Sequence, residues 1–270
     1  MKKLFIITIA LALVILPVIA KKSGQLTCSG STTVLPIAQA EAEAFMSKHP
    51  EVNISIRGGG SGVGVAALIS GTTNIANSSR PMKAKEISQA KGKGINPVAN
   101  IIANDGIAVI VSKTNNLKGL TLSQLKDIYS GKITNWSVLG GKHMPIVVIS
   151  RDVASGTFEV FNEKVLAGTK VIDSAQMLAS NNAIITTVAD TPGAIGYVGL
   201  GYVNEKVNVL PVDKVVPSKE TVKNASYKLS RKLYMYTNGK PAGEAARFID
   251  FILSAEGQKI VEEQGFIDIH

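Results

Sequence analysis

The chain has 270 residues, 29 Lys plus Arg against 20 Asp plus Glu, a formal net charge of +9 and only 5% aromatic residues. Its basic residues are scattered and no basic run with interleaved aromatics occurs, which argues against a nucleic-acid partner and suits an anionic ligand or surface. Cys28 is the single cysteine, which excludes an intrachain disulfide, and the three histidines, His49, His143 and His270, lack metal-ligand spacing, so no metal and no cofactor is expected.

In chain order, residues 1–22 read as a signal peptide or N-terminal anchor. Lys2 and Lys3 precede the apolar run from Leu4 to Ala20, whose 17 residues suit a cleaved export signal and also reach the lower limit of a membrane span. On either reading the body of the protein is exported, to the periplasm or the outer face of the cytoplasmic membrane. From about Gly24, short apolar runs alternate with helical patterns, the signature of an α/β fold with mostly parallel sheets. Ile54–Ile56, Ile107–Val111 and Ile146–Ile149 read as strands. Val34, Ala38, Ala42 and Phe45 recur at helical spacing, with Glu41, Glu43 and Lys48 assigned to the opposite side. Leu122, Leu125 and Ile128 form another helical face, as do Phe158, Phe161 and Val165. Gly243–Ser254 and Ala255–Gln264 read as closing helices. No low-complexity linker appears, so two lobes would be joined by crossing strands, for which Ile107–Val111 and Gly193–Tyr202 are the candidates.

One chemistry recurs where strands end. Ser29-Gly30-Ser31-Thr32-Thr33, Gly58-Gly59-Gly60-Ser61-Gly62, Asn77-Ser78-Ser79-Arg80 and Ser150-Arg151 with Ala154-Ser155-Gly156-Thr157 each follow an apolar run and precede a helical one. The first N–H groups of a helix have no intrahelical partner and carry the positive end of its dipole. Ser and Thr add O–H donors, and Gly lets an anion come close to the backbone. Arg151 is the cation set inside such a junction, and its planar fork suits two oxygens of one oxyanion. Arg57 and Arg80 also adjoin junctions, Arg57 as a candidate solvent-facing residue and Arg80 as one that could close a lobe. The glycine run has neither dinucleotide-fingerprint nor P-loop spacing.

These segments resemble the phosphate-binding proteins, the substrate-binding components of phosphate ABC transporters. The ordered matches are Gly30-Ser31-Thr32-Thr33-Val34-x-Pro36, Gly60-Ser61-Gly62, Ser78-Ser79-Arg80-Pro81, Leu120 to Trp136, Arg151-Asp152-x-x-Ser155-Gly156-Thr157 and Gly193 to Tyr197. The resemblance implies an α/β fold of periplasmic-binding-protein type II architecture: two lobes with mixed sheets, joined by two crossing strands, with the ligand in the interlobe cleft. Lobe I is expected at 23–107 and 203–270, lobe II at 108–202. It implies phosphate contacts from Ser31, Thr32, Thr33 and Val34, from Ser61, and from Arg151, Ser155, Gly156 and Thr157. Ser79 stands where well-known members carry an Asp that accepts the proton of phosphate. Asp105 is a candidate replacement acceptor, or simply a turn residue before Gly106. The implied protein is a monomeric, non-enzymatic receptor that captures inorganic phosphate and hands it to the membrane permease subunits of a phosphate ABC transporter. A same-fold receptor for sulfate or molybdate and, further off, a phosphatase are the alternatives.

Overall fold

The computed structural model describes residues 24–270; the expected export segment at 1–22 lies outside the described residues. Among the described residues no helix is long and apolar enough to cross a membrane.

The chain opens with β1 (Gly24–Gly30), α1 (Leu35–Lys48), β2 (Val52–Arg57), α2 (Ser61–Ile69), β3 (Ile75–Ser78) and α3 (Ala84–Gly92). Both β2 and β3 pair parallel with β1, so α1 and α2 are crossover helices covering opposite faces of one sheet. One face is filled by Leu26, Val34, Ile37, Phe45, Ile54 and Phe248. The other carries Val65, Leu68, Ala76 and Tyr236. Each Leu, Ile or Phe fully withdrawn from water here contributes about 1.5–3 kcal/mol.

β4 (Pro97–Ser112) is the long element. Its first part, Pro97 to Gly106, pairs antiparallel with β9 (Ser230–Asn238). Its last part, Ile107 to Ser112, pairs with β7 (Ala194–Gly199) and β8 (Val207–Leu210). The expected crossing at Ile107–Val111 is therefore one segment of a strand that serves both sheets. The far sheet continues from β7 to β5 (Val147–Arg151) and β6 (Gln176–Leu178). Its helices are α4 (Leu122–Tyr129), α5 (Gly156–Phe161) and α6 (Asn181–Asp190). The second candidate crossing, Gly193–Tyr202, is not one: β7 stays in the far sheet, and β8 pairs there too. The chain rejoins the first sheet only at β9, after α7 (Lys219–Lys223), where Leu229 O accepts from Ile107 N at 3.0 Å. α8 (Gly243–Leu253) and α9 (Ala255–Glu263) close the first half.

Two expected helix faces fare differently. Leu125, Ile128 and Tyr129 of α4 pack into the core of the far half with Trp136, whose indole N–H donates to Gly193 O at 2.9 Å. On α1, Glu41 is not on a polar side: it is fully buried beside Ile37, Ala38, Ala42 and Phe45. A 14-residue helix covered by the sheet on one side and by α8 and α9 on another has too little free surface for every charge. Burial drives the Glu41 carboxyl up to about 9, so it keeps its proton at neutral pH.

Candidate functional site: a donor cage between the two halves

The starts of α1, α2 and α5 face one another across the seam between the sheets. α1 begins behind Ser31, whose hydroxyl accepts from Thr33 N (3.1 Å) and Val34 N (3.4 Å), with Pro36 in the first turn. α2 begins behind Gly60, whose φ of +98° suits only glycine and whose Cβ, were there one, would lie 2.6 Å from Ala154 O. That close approach lets Gly62 N donate to Ala154 O at 3.0 Å, a backbone bond between the two halves. α5 begins behind Ser155, whose hydroxyl accepts from Phe158 N at 3.2 Å.

Between these ends the hydroxyls meet directly. Thr33 Oγ1 and Thr157 Oγ1 are 3.0 Å apart, and Ser61 Oγ and Ser79 Oγ 3.3 Å. Ser61 Oγ also accepts from Ser79 N at 3.0 Å. Gly156 lies against both serines: an added Cβ would come within 2.3 Å of Ser61 Oγ and 2.7 Å of Ser79 Oγ. Ser31, Thr32, Thr33, Val34, Ser61, Ser79, Asp105, Arg151, Ser155 and Thr157 are all buried. Ser79 differs from the other junction residues, because Pro81 follows and α3 starts only at Ala84, so it offers a hydroxyl without a helix end behind it.

Arg151 closes β5 and is held from several sides. Its Nε donates to Leu178 O (3.2 Å), and Nη2 donates to Ala179 O (2.9 Å) and to Thr32 Oγ1 (2.9 Å) on the other half. Nη1 has no hydrogen-bond partner among the described residues although it is buried. Such an unpaired donor is costly unless a ligand oxygen meets it. Burial lowers the guanidinium to about 10, still protonated at neutral pH. The strand end is braced by Tyr197, whose ring stacks on Phe161 at 3.9 Å and whose hydroxyl accepts from Arg151 N at 3.2 Å. That bracing gives the Gly193–Tyr197 motif a structural reason.

Asp105 faces inward, and its carboxylate is paired with Arg231. Oδ2 accepts from Arg231 Nε (2.9 Å) and Nη2 (2.8 Å), and Oδ1 accepts from Leu200 N (3.0 Å). Burial pushes the Asp105 carboxyl up and the Arg231 guanidinium down, and the opposite charge of each resists the shift of the other.

Sequence reading missed two contributors. Arg231 lies on the same alternating face of β9 as Leu233, Met235 and Thr237, all buried, so the strand period already pointed it inward. Asn181 follows Ser180 at the start of α6, a fifth junction of the same kind, and its Nδ2 donates to Thr33 Oγ1 (3.2 Å) and Thr32 Oγ1 (3.4 Å). Of the flanking arginines, Arg57 is exposed. Arg80 is buried, pairs with Glu86 at 2.7 Å and reaches across the seam to Glu159 of α5 at 2.8 Å. Lys83 joins Glu159 at 2.9 Å.

The family model described as "PBP superfamily domain" matches residues 19–256. The phosphate-binding protein PstS of Bacillus subtilis is 36% identical over 251 residues, covering 92% of this chain and 82% of that one. PstS of Borreliella burgdorferi is 33% identical, covering 89% and 88%. Among solved structures, a phosphate ABC transporter substrate-binding protein with bound phosphate from Clostridium perfringens is 41% identical at a TM-score of 0.85, covering 92% of this chain and all (100%) of that one. An ABC-type phosphate transport receptor from Vibrio cholerae is 31% identical at a TM-score of 0.75, covering 90% and 99%. With sequence and architecture in agreement over nearly its whole length, the chain belongs to the PBP superfamily and, within it, to the family of the PstS phosphate-binding proteins.

Proposed function

We propose that the protein is an extracytoplasmic receptor that captures inorganic phosphate and delivers it to the permease subunits of an ABC transporter for import. The carrying observation is the meeting of three helix starts, a ring of hydroxyls and the Arg151 guanidinium in one buried seam, with Arg151 Nη1 unengaged. Such a site binds an oxyanion through directed donors and a fixed positive charge. It holds its ligand and releases it unchanged, which makes the protein a carrier and not an enzyme. Two lobes close over the anion, one built from 24–106 and 230–270 and the other from 107–229, and the closed form is what a permease reads. Residues 1–22 direct export or anchor the protein, which acts as a monomer. Thermal unfolding tests the reading: a ligand bound only by the native state raises the melting temperature. Phosphate at millimolar concentration should raise it by several degrees, and an unchanged transition would refute the proposal.

A second reading, a receptor for sulfate or molybdate, is favoured by one observation. Asp105, the carboxylate of the cage, spends both oxygens on Arg231 and Leu200 N–H. Arg231 compensates the charge of that carboxylate, so the cage repels a fully ionised anion less than an unpaired carboxylate would. The same unfolding experiment with sulfate at equal concentration decides between the two.

A further inference from the structure

Arg231 stands behind the cage. We propose that it is a positioning residue, which fixes the direction of the cage hydroxyls so that they donate to the bound anion; this rests on the phosphate reading above. A guanidinium has only donors. Two of them, Nε and Nη2, are fixed on Asp105 Oδ2 at 2.9 and 2.8 Å, and Asp105 is itself held by Leu200 N. The plane of the fork is thereby set. Nη1 is left to reach across the seam to Thr157 Oγ1 at 2.9 Å, and Nη2 also approaches Thr33 Oγ1 at 3.4 Å.

A hydroxyl that accepts an N–H turns its own hydrogen elsewhere. The other threonines are met in the same way. Thr33 Oγ1 accepts from Asn181 Nδ2 at 3.2 Å, and Thr32 Oγ1 accepts from Arg151 Nη2 at 2.9 Å. Asn181 is oriented by Gly199 N, which donates to its Oδ1 at 3.2 Å. All three threonine oxygens therefore receive N–H donors from the protein; Thr33 and Thr157 share one hydrogen between them at 3.0 Å, so the O–H of Thr32 and one O–H of that pair are the donors left for an oxyanion. Closure of the halves makes this arrangement from protein groups alone, so the anion does not have to impose it.

The discriminating variant is Arg231→Lys. An ammonium retains the positive charge and can pair with Asp105, but one nitrogen at that reach cannot hold Asp105 and Thr157 in the fork geometry. Titration calorimetry with inorganic phosphate is run on the wild type, Arg231→Lys, Thr157→Val and the double variant. Arg231→Lys should weaken binding about tenfold and Thr157→Val about a hundredfold, as expected for hydrogen bonds to neutral and charged partners. The double variant should match Thr157→Val within about twofold, because the Thr157 hydroxyl at 2.9 Å is the one Arg231 chiefly orients, whereas Thr33 Oγ1, 3.4 Å away, is also held by Asn181 Nδ2. A double variant whose loss is the product of the two single losses overturns the inference, and so does an Arg231→Lys protein that binds as the wild type. If the lysine variant does not fold, Asp105→Asn with Arg231→Gln removes the ion pair as a unit and enters the same cycle with the same criterion. A wild type that gives no heat with phosphate removes the underlying functional reading, an outcome distinct from multiplicative losses.

Discussion

Replacing Arg151 by methionine removes the cage's unengaged cationic donor and preserves much of the side-chain volume. Three bonds to Leu178 O, Ala179 O and Thr32 Oγ1 hold the fork still, and Nη1 remains for the anion. A hydrogen bond to a charged partner is worth about 1.5–3 kcal/mol. Attraction between unit charges about 4 Å apart at an effective dielectric near 20 is about 4 kcal/mol, part of which is offset by desolvation of both ions. A net loss of about 3–4 kcal/mol follows, which is an affinity lower by about 150- to 1,000-fold. Arg57 is exposed, and Arg57→Met should change binding by about threefold at most, the usual range for surface substitutions. Calorimetric titration of both variants with phosphate measures the two numbers, and circular dichroism checks that Arg151→Met is folded, since Leu178 O and Ala179 O lose their donor. Equal losses in the two variants, or an Arg151→Met affinity within about threefold of wild type, would refute the assignment of charge recognition to this guanidinium.

Glu159→Gln should loosen the closed form, because Glu159 on α5 pairs with Arg80 at 2.8 Å and Lys83 at 2.9 Å from the other half. Loss of this part-buried pairing should speed phosphate release about tenfold in stopped-flow dissociation, with little change in the association rate. Gly156→Ala puts a methyl group 2.3 Å from Ser61 Oγ across the seam. Overpacking of about 1–3 kcal/mol where the halves meet should appear in calorimetric titration with phosphate as a roughly tenfold to hundredfold weaker affinity, and an affinity equal to wild type would contradict the close packing at Gly156. Glu41 has a folded pKa raised to about 9 by burial, against 4.5 ordinarily. Its stabilising contribution is complete below pH 4.5 and is lost as pH rises toward 9, by at most about 1.4 kcal/mol per pH unit. Glu41→Gln should accordingly gain stability over wild type progressively between pH 5 and 8 in urea unfolding, and a constant difference across that range would contradict a protonated Glu41.

Much of this protein is legible in one dimension. The alternation of short apolar runs with 3.6-period stretches fixes an α/β architecture, because each period is compatible with only one kind of backbone. The Ser, Thr and Gly residues at strand ends announce helix starts with donors to spare, and the fold puts Arg151 on Thr32, Thr157 on Thr33 and Ser79 on Ser61. What the linear pattern could not supply is partnership across distance. The helical period put Glu41 on a polar side, because periodicity counts residues on one helix and does not know that α8 and α9 cover another flank. Asp105 is an acidic residue before a glycine until Arg231, 126 positions later, takes its Oδ2. Gly193–Tyr202 is a candidate crossing in the linear pattern, whereas in the fold β7 lies in the far sheet and β8 pairs with β4 beyond it. Local propensity and capping are short-range and are written in neighbouring residues. Strand order, the polarity of a hydroxyl and the company of a buried charge depend on contacts between residues far apart in the chain, and only the folded arrangement decides them.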